Sequence, residues 1–136
     1  MGKAELLTLA DRGEKEPPSR ELDGDVAEAV GVAPVGAGWY RDKGDAGWWR
    51  DWQVDNRPLW RASSYTSSLD DAVSLVPDDC HWLVSWPVGQ AQLTRGDGRL
   101  FDADAPAAAQ ALTAAALRAR AADMERATAP RTVTED

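Results

Sequence analysis

The stretch from Tyr65 to Trp86 constrains this chain most, because its hydrophobic period changes in the middle. Leu69, Ala72, Val73 and Val76 recur at helical spacing, whereas Trp82, Val84 and Trp86 alternate with His81, Leu83 and Ser85. Two overlapping capping boxes, Ser67 with Asp70 and Ser68 with Asp71, predict the helix start. Both aspartates suit the positive end of the helix dipole. Pro77 disfavours helical geometry at Val76, and Asp78-Asp79 supplies a turn. The expected unit is a short capped helix, a turn and a buried strand, with Trp82 and Trp86 as core anchors.

Upstream, Leu6, Leu7, Leu9 and Ala10 outline a short amphipathic helix, and the prolines between Glu14 and Ser19 mark a connector. Ser19 caps a second helix that sends Leu22, Val26, Ala29 and Val30 inward and Glu21, Asp23, Asp25 and Glu28 outward, with Gly31 as its C-cap. Glu21, Asp25 and Glu28 form an acidic face able to dock a basic partner; such a face is more commonly just solvated.

Residues 32–47 read as a glycine-rich loop anchored by Trp39-Tyr40, and residues 48–54 as a strand. Pro58 fixes a turn that returns Leu59-Trp60 to the core. Five tryptophans fall between Trp39 and Trp60. Large rings of this kind usually build the core of a small sheet. Trp49, between polar strand neighbours, and Trp39, in the loop, are the candidates for contact residues, with Arg50 beside them.

After Trp86, strands are expected at 90–94 and 99–102, separated by the turn Gly96-Asp97-Gly98. Asp104 or Ala105 caps the last helix, and Pro106 suits its first turn. Thirteen alanines between Ala103 and Ala127 give that helix strong intrinsic helicity and allow close approach to a sheet. The expected fold is α+β: a small, mostly antiparallel sheet from about 48–54, 81–86, 90–94 and 99–102, covered by helices. The order is α-α-β-α-β-β-(β)-α, an α/β/α sandwich if both sheet faces are covered. Residues 1–127 form one domain, and 128–136 a frayed, flexible tail.

A net charge of −8 argues against direct nucleic-acid binding, which needs a basic surface, and suits a basic partner. No apolar run approaches the ~18 residues needed to span a membrane. The start of the chain shows no apolar targeting core, so a cytoplasmic location is expected. Cys80 is the single cysteine and forms no internal disulfide.

Several segments look familiar: Tyr65-Thr66-Ser67-Ser68-Leu69-Asp70, the last-helix run Ala116-Leu117-Arg118-Ala119-Arg120, and Glu5-Leu6-Leu7 followed by Ser19-Arg20-Glu21-Leu22-Asp23 with Val26-Ala27. Together they resemble small phage and prophage proteins carrying the phage ABA-sandwich domain. The stretch 36–60 is unmatched, and Ala105-Pro106 stands where that family opens its last helix with Thr-Pro. The resemblance implies a layered α/β/α arrangement and the cytoplasm of a bacterial host. It implies no activity and no catalytic residue.

No spacing selects catalytic chemistry. Cys80 and His81 are adjacent, face opposite ways on a strand, and lack the partners that complete a zinc site. Asp97, Asp102 and Asp104 do not follow calcium-loop spacing, and the glycines at 36, 38, 44 and 47 are not followed by Gly-Lys-Ser/Thr. The expectation is a non-catalytic phage accessory protein with no cofactor and no metal. It would act by contact with a host or phage protein, inhibition of a host defence protein being one version. The alternative is a nucleotide- or sugar-binding protein using Trp39, Trp49 and Arg50 as a stacking clamp. A Cys80/His81 enzyme is the third reading.

Overall fold

Alanine lets a helix be enclosed on every side, and the first half of the last helix of this chain is. The computed structural model describes residues 2–32, 39–41, 48–51, 58–85 and 89–128; for 39–41, 48–51, 58, 59 and 125–128 it describes the backbone alone. The alanine-rich segment forms α4 (Ala108–Thr128), and every residue from Ala108 to Leu117 is buried. A run of consecutive buried residues longer than two turns leaves no solvated face.

Two layers enclose it. On one side lies α1 (Lys3–Lys15), which buries Leu6, Leu9 and Ala10. There Gly13 comes so near that a Cβ on it would sit 3.6 Å from the Ala114 Cβ. The helix α2 (Arg20–Ala29) adds Leu22, Val26 and Ala27 to the same core, and α3 (Leu69–Val73) adds Ala72. On the other side lies an antiparallel sheet of β4 (Cys80–Ser85), β5 (Gln90–Arg95) and β6 (Leu100–Asp104), with β5 central. Along β5, Ala91, Leu93 and Arg95 are buried while Gln90, Gln92 and Thr94 are exposed. The expected α+β class and helix-covered antiparallel sheet are present. Among the described residues, however, it is α4 that takes the central layer, between the sheet and α1.

Helix boundaries follow local chemistry. Ser19 caps α2 by accepting from the Leu22 amide at 3.0 Å, and Ser68 caps α3 by accepting from the Asp71 amide at 3.3 Å. Only the second of the overlapping boxes therefore sets the α3 start. The Asp71 carboxylate reaches back further, to the Ser64 amide at 2.7 Å. At the α2 end, Gly31 has φ +82, and the Val32 and Gly31 amides bond the Ala27 and Glu28 carbonyls, a Schellman ending.

Four expectations need correction. The stretch 48–54 does not join β4–β6. Its residues Trp48–Asp51 form β2, paired with β1 (Trp39–Arg41) and β3 (Pro58–Arg61) in a separate antiparallel sheet. A three-residue strand inside a glycine-rich stretch carries too little periodicity to be read, and Pro58, which lacks a ladder donor, reads as fixing a turn before Leu59-Trp60 rather than as opening a strand. Second, α4 begins at Ala108, past Pro106: the Ala105 amide bonds the Gly89 carbonyl at 2.8 Å and prolongs the sheet instead. Third, Trp82 is 42% exposed. It lies opposite buried Leu93, but on an edge strand that overhangs α4. Trp86, residues 52–54 and the expected tail beyond Thr128 lie outside the described residues.

The fourth correction is Asp23, expected outside and only 1% exposed. It accepts from the Thr66 amide at 2.8 Å and the Thr66 hydroxyl at 2.7 Å, and pairs with Arg20 Nη1 at 2.9 Å. Arg20 also donates to Ser64 Oγ and the Ala62 carbonyl, while the Thr113 hydroxyl of α4 donates to the Tyr65 carbonyl at 2.8 Å. The segment 62–66 is thus held by side chains of three helices, Arg20 and Asp23 of α2, Asp71 of α3 and Thr113 of α4, rather than by its own backbone ladder. This is how its buried polar groups are satisfied.

Asp23→Ala removes the acceptor of the Thr66 amide and leaves the Thr66 hydroxyl with only the Ser19 carbonyl at 3.4 Å and Arg20 Nη1 with only Ser64 Oγ, and should cost about 3 kcal/mol in urea unfolding. Asp23→Asn keeps one acceptor oxygen and should lose clearly less. At the β4–β5 turn, Gly89 has φ +73, and a Cβ there would fall 1.9 Å from the Ala105 carbonyl oxygen. Gly89→Ala should destabilise by at least ~2 kcal/mol, read as a lowered denaturation midpoint at unchanged slope.

Candidate interaction surface

The acidic residues of α2 lie beside a groove that α1 completes. On α1, Leu6, Leu9 and Ala10 turn to the core, which leaves the stripe Glu5, Thr8 and Arg12 toward α2. Facing it are Asp25, Glu28 and Ala29, and the groove so formed has a volume of about 420 Å³ with Ala4 and Leu9 also in its lining. A second hollow of about 500 Å³ runs from the end of α2 to α4, lined by Leu6, Val30, Arg120, Asp123 and Met124 among others. Glu28 and Ala29 border both. The surface is therefore a pair of part-apolar depressions separated by a ridge that carries a carboxylate.

The expected acidic face is only partly a face of available charge. Glu21 is exposed, and Asp25 and Glu28 are half-buried. Asp25 Oδ2 meets Arg12 Nη1 at 2.9 Å, and Arg12 Nε also pairs with Glu16 at 2.9 Å. The Glu16 hydrogen bond, more than Asp25, holds the Arg12 guanidinium firmly charged, above its ordinary range. The i,i+4 spacing of Arg12 and Glu16 is a signal the sequence contains. The pairing with Asp25 is not, because it joins two helices.

On the opposite flank of α1, Arg118 of α4 donates to Glu14 at 2.6 Å, to Asp11 at 3.0 Å and to the Asp102 carbonyl of β6 at 2.9 Å. Glu14 also accepts from the Asp104 amide at 2.9 Å. The Arg118 hydrogen bond is the main reason the Glu14 carboxyl lies below its ordinary value, burial opposing it. This cluster pins α1, α4 and β6 together, and so fixes the angle at which α1 forms its groove with α2.

The aromatic candidates belong to different elements. Trp39 lies opposite Asp51, Trp49 opposite Arg41 and Trp60, and Arg50 opposite Tyr40 and Pro58, with a register shift between Trp49 and Arg50. The side chains of Trp39, Trp49 and Arg50 lie outside what the structure describes. Trp60 is half-buried against the main core.

Cys80 and His81 occupy opposite faces of β4, since Cys80 pairs with buried Arg95 and His81 with exposed Thr94. Burial pushes the Cys80 thiol up, against the pull of Arg95 Nη2 at 3.8 Å. Arg95 is itself 2% exposed. It reaches Asp123 and the Ala119 carbonyl of α4, faces Asp79 at 3.4 Å, and lies 5.4 Å from the Phe101 ring centroid. It clamps helix to sheet, and burial, which alone would lower its pKa, is outweighed by the Asp123 and Cys80 contacts. Among the described residues, no group of three or more His, Cys, Asp or Glu side chains is placed to hold a metal ion, and no helix is long and apolar enough to cross a membrane.

Comparison of the chain with family models, with curated proteins and with solved structures returns no match.

The lowered Glu14 pKa fixes the sign of a pH dependence. A carboxylate held below its unfolded value contributes stability that is fully present above about 4.5, its ordinary value, and is lost as pH falls through the folded value. The melting temperature should therefore drop as pH falls below about 4.5, and Glu14→Gln should flatten that part of the profile while lowering the plateau at neutral pH. A thermal melt series across the acid range reads both.

Proposed function

We propose that this protein is a non-catalytic accessory protein that acts by binding another protein, and that the α1–α2 surface is where it does so. The observation that carries the reading is the groove between the two helices, where apolar Leu9, Ala4 and Ala29 lie beside the carboxylates Glu5, Asp25 and Glu28. A part-apolar depression with acidic walls suits a basic amphipathic segment. Its apolar side chains gain by leaving water, and its Lys or Arg side chains meet carboxylates at the rim. The chain's net charge of −8 adds long-range attraction for such a partner.

Phage or prophage origin belongs to this proposal and rests on the sequence resemblance. In that setting the partner is a protein of the bacterial host or of the phage, met in the cytoplasm. A basic, nucleic-acid-binding defence protein of the host fits the chemistry.

The test is affinity capture from host lysate by the wild-type chain and by Glu21→Lys/Glu28→Lys, whose substitutions spare the Arg12–Asp25 pair. The expected outcome is a captured protein with a basic segment, released by added salt and lost with the double variant while that variant keeps a cooperative unfolding transition. Full retention of every partner by the double variant would falsify the acidic-groove reading.

A further inference from the structure

Among the described residues, the outer edge of β4 is an open template for another strand. The hydrogen-bond parity of the sheet shows which groups lie on it. The Gly96 amide donates to the Asp79 carbonyl at 3.2 Å, and the Arg95 amide to the Arg99 carbonyl at 2.9 Å. The β4–β5 register is unshifted, so the ladder between them runs through Asp79, His81, Leu83 and Ser85. The amides and carbonyls of Trp82 and Val84 then point away from β5. The Cys80 amide is already bonded to the Pro77 carbonyl at 3.0 Å. Among the described residues no strand pairs with this edge.

Exposed edges are normally blunted by charge, proline or a bulge. Here Cys80-His81-Trp82-Leu83-Val84-Ser85 holds no Lys, Arg, Asp, Glu or Pro, and its pairing shows no register shift. It also presents exposed apolar side chains on both sides: Trp82, 42% exposed, toward the helix layer, and Leu83, 66% exposed, on the open face. In a chain of net charge −8, an uncharged strip is where a second copy can approach without like-charge repulsion.

We infer that the protein forms a homodimer by antiparallel pairing of β4 with β4 of a second copy, about a two-fold axis that passes through Leu83 normal to the sheet. Such an axis keeps the α4 layers of both copies on one side of a continuous six-strand sheet. Side-chain parity then restricts the axis to a residue rather than to a gap between residues. With the axis at Leu83, Trp82 and Val84 of one copy exchange hydrogen bonds with Val84 and Trp82 of the other. Every outward amide and carbonyl of those residues is satisfied. Leu83 meets Leu83 as a non-hydrogen-bonded pair, the closest cross-strand approach, and His81 lies opposite Ser85 with no charge conflict. With the axis at Trp82, Val84 would instead face Cys80, whose amide is already occupied. An interface built on one strand edge is small, so the dimer should dissociate on dilution.

Sedimentation equilibrium of the full chain over a concentration series should show a monomer–dimer equilibrium. Val84→Pro removes an outward amide without breaking the β4–β5 ladder, and should weaken dimerisation by roughly tenfold or more at unchanged circular dichroism. Should that variant fail to fold, Cys80→Ser/Leu83→Cys gives an independent reading. Under mild oxidation it should form an interchain disulfide, because a non-hydrogen-bonded antiparallel pair brings the two Cα atoms within bridging distance. Cys80→Ser/Ser74→Cys should not cross-link. A wild-type chain that stays monomeric at every concentration overturns the proposal. So does a dimer undiminished by Val84→Pro, or a chain with cysteine at 83 that does not cross-link.

Discussion

Everything in this fold leans on the enclosure of α4. A helix buried from Ala108 to Leu117 without a break has to offer short side chains in every direction, and alanine supplies them with the best intrinsic helicity. Alanine packing gains little per residue, so the stabilisation comes from what the close approach permits. Leu6, Leu9, Leu22 and Val26 from the helical layer and Leu93 from the sheet reach the same centre as Leu112 and Leu117. The cost of this arrangement is that α4 has few side chains long enough to specify where its neighbours sit.

Polar contacts supply that specification. Arg95 ties the sheet to α4, Arg118 ties α4 to α1 and β6, and Arg120 donates to the Leu75 carbonyl after α3. Asp23 and Thr66 fix α2 against the segment that leads into α3, and Thr113 closes the link to α4. The Gln110 amide donates to the Gly13 carbonyl, satisfying a group in the last turns of α1. Each joins residues far apart in the chain, and all but the exposed Arg118–Asp102 contact are at least partly sheltered from water, where a directional contact discriminates most between packings. The groove between α1 and α2 inherits its shape from them.

The same network engages several carboxylates that periodicity alone would place in water. Of the acidic residues on the first two helices, Asp23 is consumed inside, Asp25 is held by Arg12, and Asp11 and Glu14 by Arg118. Glu21 is exposed, and Glu28 lies half-buried on the ridge between the two depressions. The sheet offers a different surface, uncharged and apolar at its β4 edge. The two surfaces lie on different layers of the fold and differ in chemistry.

Local features were legible because their physics is local. The Ser19 and Ser68 caps, the Gly31 ending, the alternation of β5 and the opposition of Cys80 and His81 all depend on residues a few positions apart. They came out as the spacing implies. The acidic stripe Glu21, Asp25, Glu28 was legible too, as a periodicity, though not as half of a groove. What tertiary structure alone decided concerns which surfaces meet. Asp23 turned inward because Thr66 and Arg20 await it there, and Trp82 stayed half in water because its strand ended at an edge. Residues 48–51 joined residues 39–41 and 58–61 in place of the larger sheet, and α4 became the centre rather than a cover. Periodicity tells each element which side is apolar; only packing decides what lies against it, because an apolar face is satisfied by any neighbour of the right shape.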